Sequence, residues 1–136
     1  MIEVALIGGQ AFSVRVRQHA LVVDQPVSGG GEDSGPSPTE LLVASLASCV
    51  AYYAATFLRR HAPLPELTVR CDYAMAAERP SRVARVALDV DVPGPLRADV
   101  RDALLRAVDK CTVHNTLRMP PEVTISVREP IAAPAS

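Results

Sequence analysis

The chain reads as an α+β protein with mostly antiparallel sheets, and three observations predict it. Short runs of apolar–polar alternation occupy the beginning, middle and end of the chain, as half-buried strands do. An uncharged stretch from Leu41 to Leu58 has helical length, and a second, amphipathic pattern follows from Leu96. The resulting order is three strands, a helix, two strands, a helix and a strand. Successive strands joined by short turns pair antiparallel. At 136 residues the chain fits one domain, taken as residues 1–129, with 130–136 as a flexible C-terminal tail rich in Ala and Pro.

The elements follow in order. Glu3 to Ile7, Ala11 to Arg17 and His19 to Asp24 are the first strands, turning at Gly8-Gly9-Gln10 and near Arg17-Gln18. In the second, Phe12, Val14 and Val16 share one face and Ser13, Arg15 and Arg17 the other. Pro26 to Pro38 is a Gly/Ser/Pro loop, long enough to be functional or mobile. Ser37 and Glu40 then form a capping box with Pro38 at the first helical position. The helix ends near Arg59-Arg60-His61, where cations suit a helix C-terminus, and Pro63 and Pro65 stop it. Glu66 to Ala76 and Val83 to Val92 alternate cleanly as a hairpin around Glu78-Arg79-Pro80-Ser81. Leu96, Val100, Leu104, Ala107 and Cys111 recur at helical spacing. Cys111 to Leu117 is a compact junction, and Glu122 to Arg128 a last strand with Val123, Ile125 and Val127 on one face.

Composition excludes several functions. A net charge of −1, few aromatics and no Trp give no footprint for nucleic acid, an anionic membrane surface or base stacking. Met1-Ile2-Glu3-Val4 has no basic region and no apolar core of a signal peptide, so the cytoplasm is the expected compartment. Cysteines stay reduced there unless their own chemistry is redox. Three cysteines do not make a disulfide scaffold. Leu41 to Leu58 is nearly long enough to span a bilayer, but it is built from Ala and Ser rather than bulky apolar residues. It reads as a central helix needing cover on every side. One small chain cannot supply that, and a homodimer with central helices packed together would.

Cys49, in mid-helix, and Cys111, beside His114 and Asn115, are the candidate reactive thiols. A thiol becomes reactive where a cation or hydrogen-bond donor lowers its pKa. Arg15, Arg17 and His114 are the candidate donors, although on pattern alone the arginines lie on a solvated strand face. Burial as small hydrophobes is the plain alternative for the thiols, and Cys71, on an apolar strand face, is read as structural. Cys111-Thr112-Val113-His114 is half of a possible metal site, without the second pair that zinc requires. A Cys-His-Asn protease set would have to come from separate segments rather than adjacent residues. The Gly-rich loop holds no phosphate-binding pattern.

Two signatures carry a resemblance. Asp24-Gln25-Pro26, Gly29-Gly30-Gly31-Glu32-Asp33 and Gly35-Pro36-Ser37-Pro38-Thr39-Glu40-Leu41-Leu42 lead into Ala47-Ser48-Cys49; Lys110-Cys111-Thr112-Val113-His114-Asn115-Thr116-Leu117 follows. Together they resemble the OsmC/Ohr family of osmotically inducible and organic hydroperoxide resistance proteins, in its broader OsmC-like branch. The resemblance implies an intertwined homodimer with sheets wrapped around central helices and active sites at the subunit interface. It implies a thiol-dependent peroxidase of oxidative stress defence, acting on organic hydroperoxides without metal, haem or flavin. Cys49 would be the peroxidatic cysteine, oxidised to a sulfenic acid, and Cys111 the resolving one, forming a disulfide that an external dithiol reduces. Arg17 would stabilise the thiolate, with Arg15 in reserve.

The chain departs from the family pattern twice. Thr39 stands where the hydroperoxide resistance branch has the glutamate that orients the arginine, and Thr112 stands where proline usually follows the cysteine. Glu40 lies nine positions before Cys49, at about 100° per residue on the opposite side of the helix, so it reads as a cap. The Thr39 departure motivates a second reading, a non-catalytic member that binds a small molecule or senses redox state.

Overall fold

The computed structural model describes residues 1–61 and 66–135. Strand β1 (Ile2–Gly8) pairs antiparallel with β2 (Ala11–Val16), and β2 with β3 (His19–Val23). Gly9, at φ 54°, makes the first turn. The second is a two-residue turn as well: Val16 pairs with His19, and Arg17 takes the left-handed conformation at φ 54°. The two-residue hairpin demands positive φ, a state that costs an ordinary L-residue about 1–2 kcal/mol.

The long loop after β3 is built around one carboxylate. Asp24 is almost fully buried and accepts from the N–H groups of Gln25, Glu32 and Ser34 and from the Ser34 hydroxyl. Its own N–H reaches Pro36 O at 3.2 Å. Backbone crowds so closely that a Cβ on Gly31 would lie 2.1 Å from Gln25 O.

Helix α1 (Pro38–Leu58) begins at the expected capping box, with Glu40 N–H donating to Ser37 Oγ at 3.2 Å and Ser37 N–H to Glu40 Oε1 at 3.3 Å. Hairpin β4 (Thr68–Met75) and β5 (Val83–Asp91) pairs Cys71 with Leu88 and Tyr73 with Val86. Helix α2 (Ala98–Val108) and a short α3 (Thr112–Arg118) complete the regular structure. α1 packs against α2, β4, β5 and α3. Its buried stripe, Val43, Leu46, Val50, Ala54 and Leu58, falls at helical spacing. Leu46 and Val50 pack with Cys111 beneath β5; Ala54 and Leu58 pack with Leu104 of α2.

The α+β class with antiparallel sheets is the architecture observed. Two expectations are corrected. Cys111 to Leu117 is a helix with its entry residue rather than a junction, and Cys111 caps α3 instead of ending α2. Glu122 to Arg128 is not a strand: no ladder partner stands beside it among the described residues, and Val123, Ile125 and Val127 are exposed. As the uncharged sequence of α1 predicts, one chain alone covers only one face of the helix, leaving Leu42, Ser45, Ser48 and Tyr52 exposed. Pro63 and Pro65 lie outside the described residues.

Candidate active site

Cys49 precedes Val50 on α1, so it stands at the edge of the buried stripe and is half-buried. Cys111 is brought to it from the other end of the body. α2 closes with Cys111 N–H bonded to Val108 O at 3.1 Å, and the chain then leaves the helix at φ −53°, ψ 122°. Cys111 is fully buried, with Cys49, Leu46 and Val50 in its cluster. Sixty-two positions apart in sequence, the two thiols face each other.

The first amides of a helix have no partner within it. In α3 the first intrahelical bond runs from Asn115 N–H to Cys111 O, at 2.9 Å, which leaves those of Thr112, Val113 and His114 over. The thiol pair lies near them: the N–H groups of Val113 and Thr112 act to lower Cys49, and those of His114 and Val113 to lower Cys111. One residue on, the hydroxyls of Thr112 and Tyr53, the latter one turn after Cys49 on α1, lie 3.2 Å apart and bonded.

This arrangement separates the thiols electrostatically. Burial pushes the Cys49 thiol up, but the Val113 N–H, the Cys111 thiol and the Thr112 N–H outweigh it and hold Cys49 below the ordinary cysteine value. Burial pushes Cys111 up as well, and donating its S–H to Cys49 raises it further; the N–H groups of His114 and Val113 only moderate this. The half-exposed sulfur is thus the one inclined to be thiolate, and the enclosed sulfur keeps its proton. Cys71 is pushed up by burial and then by Asp72, and faces neither.

A groove of about 650 Å³ shares walls with the pair, because its lining residues Leu46 and Val86 also pack on the Cys111 cluster. Leu42 and Val43 of α1, Met75, Val83 and Leu117 make it largely apolar, with Thr39, Arg82 and Arg85 among its polar members. The expected cations are elsewhere. Arg17 occupies the exposed β2–β3 turn, and Arg15 is bound to Glu3 at 2.6 Å on the open face of the sheet. His114 Nδ1 takes a 3.3 Å contact from Arg118, which pairs with Asp109. Among the described residues no cluster of three His, Cys, Asp or Glu side chains is poised for a metal.

The main-chain donors of α3 and the Tyr53–Thr112 pair were not foreseen from sequence. Main-chain amides carry no side-chain signature. The exchange to Thr at position 112 was the one visible signal, since proline has no N–H to offer.

Comparison with known proteins agrees with this fold. The sequence profile of OsmC-like proteins matches residues 30–126. The chain therefore belongs to the OsmC-like protein family. A Psychrobacter arcticus structure named for osmotic stress induction and a detoxification response is similar at 26% identity and a TM-score of 0.74, over 85% of each chain. An organic hydroperoxide resistance protein OsmC of Legionella pneumophila is 20% identical over 87% of this chain and 89% of its own, with a TM-score of 0.66. An OsmC-like protein of Mycoplasma pneumoniae, 17% identical, superposes with a TM-score of 0.72 over 87% and 86%. No curated protein matches in sequence.

Proposed function

We propose that the protein is a two-cysteine peroxidase that reduces organic hydroperoxides in the cytoplasm, with Cys49 peroxidatic and Cys111 resolving. The observation that carries this reading is the polarised thiol pair: a half-buried Cys49 held low, packed against a buried Cys111 held high. The Cys49 thiolate attacks the terminal peroxide oxygen. An S–O bond forms, the O–O bond breaks, and the alkoxide leaves and takes a proton from water. Cys49 is then a sulfenic acid, two electrons oxidised. Cys111 gives up its proton as its sulfur attacks Cys49; a disulfide forms and the hydroxyl leaves as water. An external dithiol reduces that disulfide and is itself oxidised. The apolar groove behind Leu46 and Val86 suits a bulky organic peroxide better than hydrogen peroxide.

The working unit in this reading is a homodimer, and Arg17 stabilises a Cys49 thiolate across its interface. Three features support it. Ile2 and Leu6 of β1 are 65% and 64% exposed, and Ile125 is 90% exposed, a run of apolar surface uncommon on a monomer. The open face of α1 needs cover. Arg17 holds a left-handed conformation that glycine would take at less cost, and such outliers point to function.

Cumene hydroperoxide added to reduced protein is expected to form one Cys49–Cys111 disulfide, read by mass spectrometry, and dihydrolipoamide to sustain turnover. Cys49→Ser abolishes both, and Cys111→Ser leaves a trappable sulfenic acid. Absence of the disulfide under excess peroxide sinks the reading. One equivalent consumed with no turnover under dithiol favours the binder or redox sensor.

A further inference from the structure

We propose that Tyr53 is a positioning residue for the resolving step: its hydroxyl, bonded to the side chain of Thr112, holds the turn that carries Cys111 within reach of Cys49. This rests on reading Cys49 and Cys111 as the two thiols that close a disulfide. Cys49 and Tyr53 are four positions apart on α1 and so share one face of it. Thr112 directly follows Cys111. The 3.2 Å bond between the two hydroxyls therefore ties the residue one turn past one sulfur to the chain neighbour of the other.

Cys111 needs such a tie. α2 closes at Val108 and α3 opens at Thr112, so Cys111 lies on the short link between them rather than inside either helix. Its bed is apolar, with Leu46, Val50, Leu88 and Val108 among its walls. Apolar contact sets depth without direction, whereas a hydrogen bond fixes distance and angle. Among the described residues no other hydrogen bond joins α1 to α3. Both ends of this one are themselves held. Tyr53 packs on the Cys111 cluster and stands edge-on to Tyr52, with ring centroids 5.3 Å apart at 89°. The Thr112 carbonyl accepts from the Thr116 hydroxyl at 2.9 Å. A disulfide needs its Cα atoms about 4.4–6.8 Å apart and a narrow dihedral, so a small drift of the link slows closure. The departure at position 112 thereby acquires a use, since proline has no hydroxyl to offer Tyr53.

An aromatic disulfide, dithiobis(nitrobenzoate), separates the two thiols in the full chain with Cys71→Ala as background. Cys49 attacks it, forming a mixed disulfide and releasing one thionitrobenzoate. Cys111 then attacks the Cys49 sulfur, the protein disulfide closes, and a second thionitrobenzoate leaves. Absorbance gives the rate of each phase. Tyr53→Phe is expected to slow the second phase about three- to tenfold, the scale of one net hydrogen bond, and to leave the first unchanged. Thr112→Val does the same, the double variant is no slower than either single one, and Thr112→Ser, which keeps the hydroxyl, retains the fast second phase. An unchanged second phase in Tyr53→Phe overturns the proposal. So does a first phase slowed equally, an additive loss in the double variant, or a Thr112→Ser variant as slow as Thr112→Val. Should Tyr53→Phe not fold, Thr112→Val decides in its place. A single equivalent released by the unmodified chain overturns the pairing of the thiols, and the role of Tyr53 with it, whereas the other failures strike Tyr53 alone. No peroxide enters the assay, so turnover of hydroperoxide does not bear on the result.

Discussion

The body made of α1, β4, β5, α2 and α3 closes a core of its own, whereas the β1–β2–β3 sheet does not. In the body, Leu46, Val50, Ala54, Leu58 and Leu104 are buried by one another and by the hairpin. The sheet approaches the body chiefly where Phe12, Val14 and Val23 near Pro38 and Leu41, and every residue of β1 is exposed. Both regions are rich in apolar residues; the difference lies in where their partners are. The body assembles the thiol pair without help. The sheet carries Arg15 and Arg17, on a surface that the single chain leaves open.

The largest effect is expected where the comparison can be broken outright. If a second copy covers β1 and the segment after α3, wild-type protein elutes as a dimer, and Ile125→Asp and Val4→Asp separate it. Losing the burial of one such side chain costs about 1.5–3 kcal/mol per copy. Two copies carry each change, so the dissociation constant should rise by about two to four orders of magnitude. Sedimentation at graded concentration measures this. A monomeric wild type, or an unchanged dimer in both variants, removes the interface from the reading.

Next comes a change inside the body. Leu46 is buried against Val50 and Cys111 and also walls the groove. Leu46→Ala should cost about 2–5 kcal/mol, the range for an emptied leucine site, and should slow disulfide formation because the bed of Cys111 loosens. Urea unfolding gives the first figure and a timed peroxide quench the second. A loss below about 1 kcal/mol would place Leu46 outside the core that positions the thiols.

What was legible in the sequence follows the same division. Elements whose determinants are local were readable: the Ser37–Glu40 capping box, the Gly8-Gly9 turn and the alternation of β4 and β5 match the observed structure to within about two residues. The excess apolarity of α1 was readable too, because no face carries charge. Val123, Ile125 and Val127 alternate as a strand should, but a strand exists only beside its partner, and the described residues offer none. α3 was obscured by its length and by the β-branched Thr112, Val113 and Thr116, weak helix formers read as a junction. Cys49 and Cys111 stood out individually. Their meeting depends on long-range packing of α1 against α3, which no local pattern encodes.

Asp24 joins the two regions, and its variant sharpens the comparison by pH. The Ser34 hydroxyl and then the Ser34 N–H hold its carboxyl below the usual range; burial opposes them, and the N–H groups of Gln25 and Glu32 assist. A carboxylate depressed in the fold stabilises it above the unfolded value, about 3.9, and that contribution is lost as pH falls through the folded value. Asp24→Asn should therefore be less stable at neutral pH and show a shallower acid limb below about pH 4. Asp109, held low by Arg118, leaves a residual slope. An unchanged acid limb would mean that Ser34 and its neighbours are organised without the charge.

The smallest effect is expected at the third thiol. Cys71 sits in β4 opposite Leu88, in the same self-sufficient body as Cys49 and Cys111 but out of reach of the α3 amides. With burial and Asp72 both raising it, the thiol stays protonated at neutral pH. Cys71→Ala should leave the midpoint of Cys49 alkylation and the yield of the Cys49–Cys111 disulfide unchanged, with a modest loss of stability for a half-buried side chain, about 1 kcal/mol. A Cys71 adduct forming under peroxide as fast as the Cys49 product would show that exposure, rather than the donors of α3, decides which sulfur reacts. Reactivity confined to Cys49 would instead tie the chemistry to its packing against Cys111 at the start of α3.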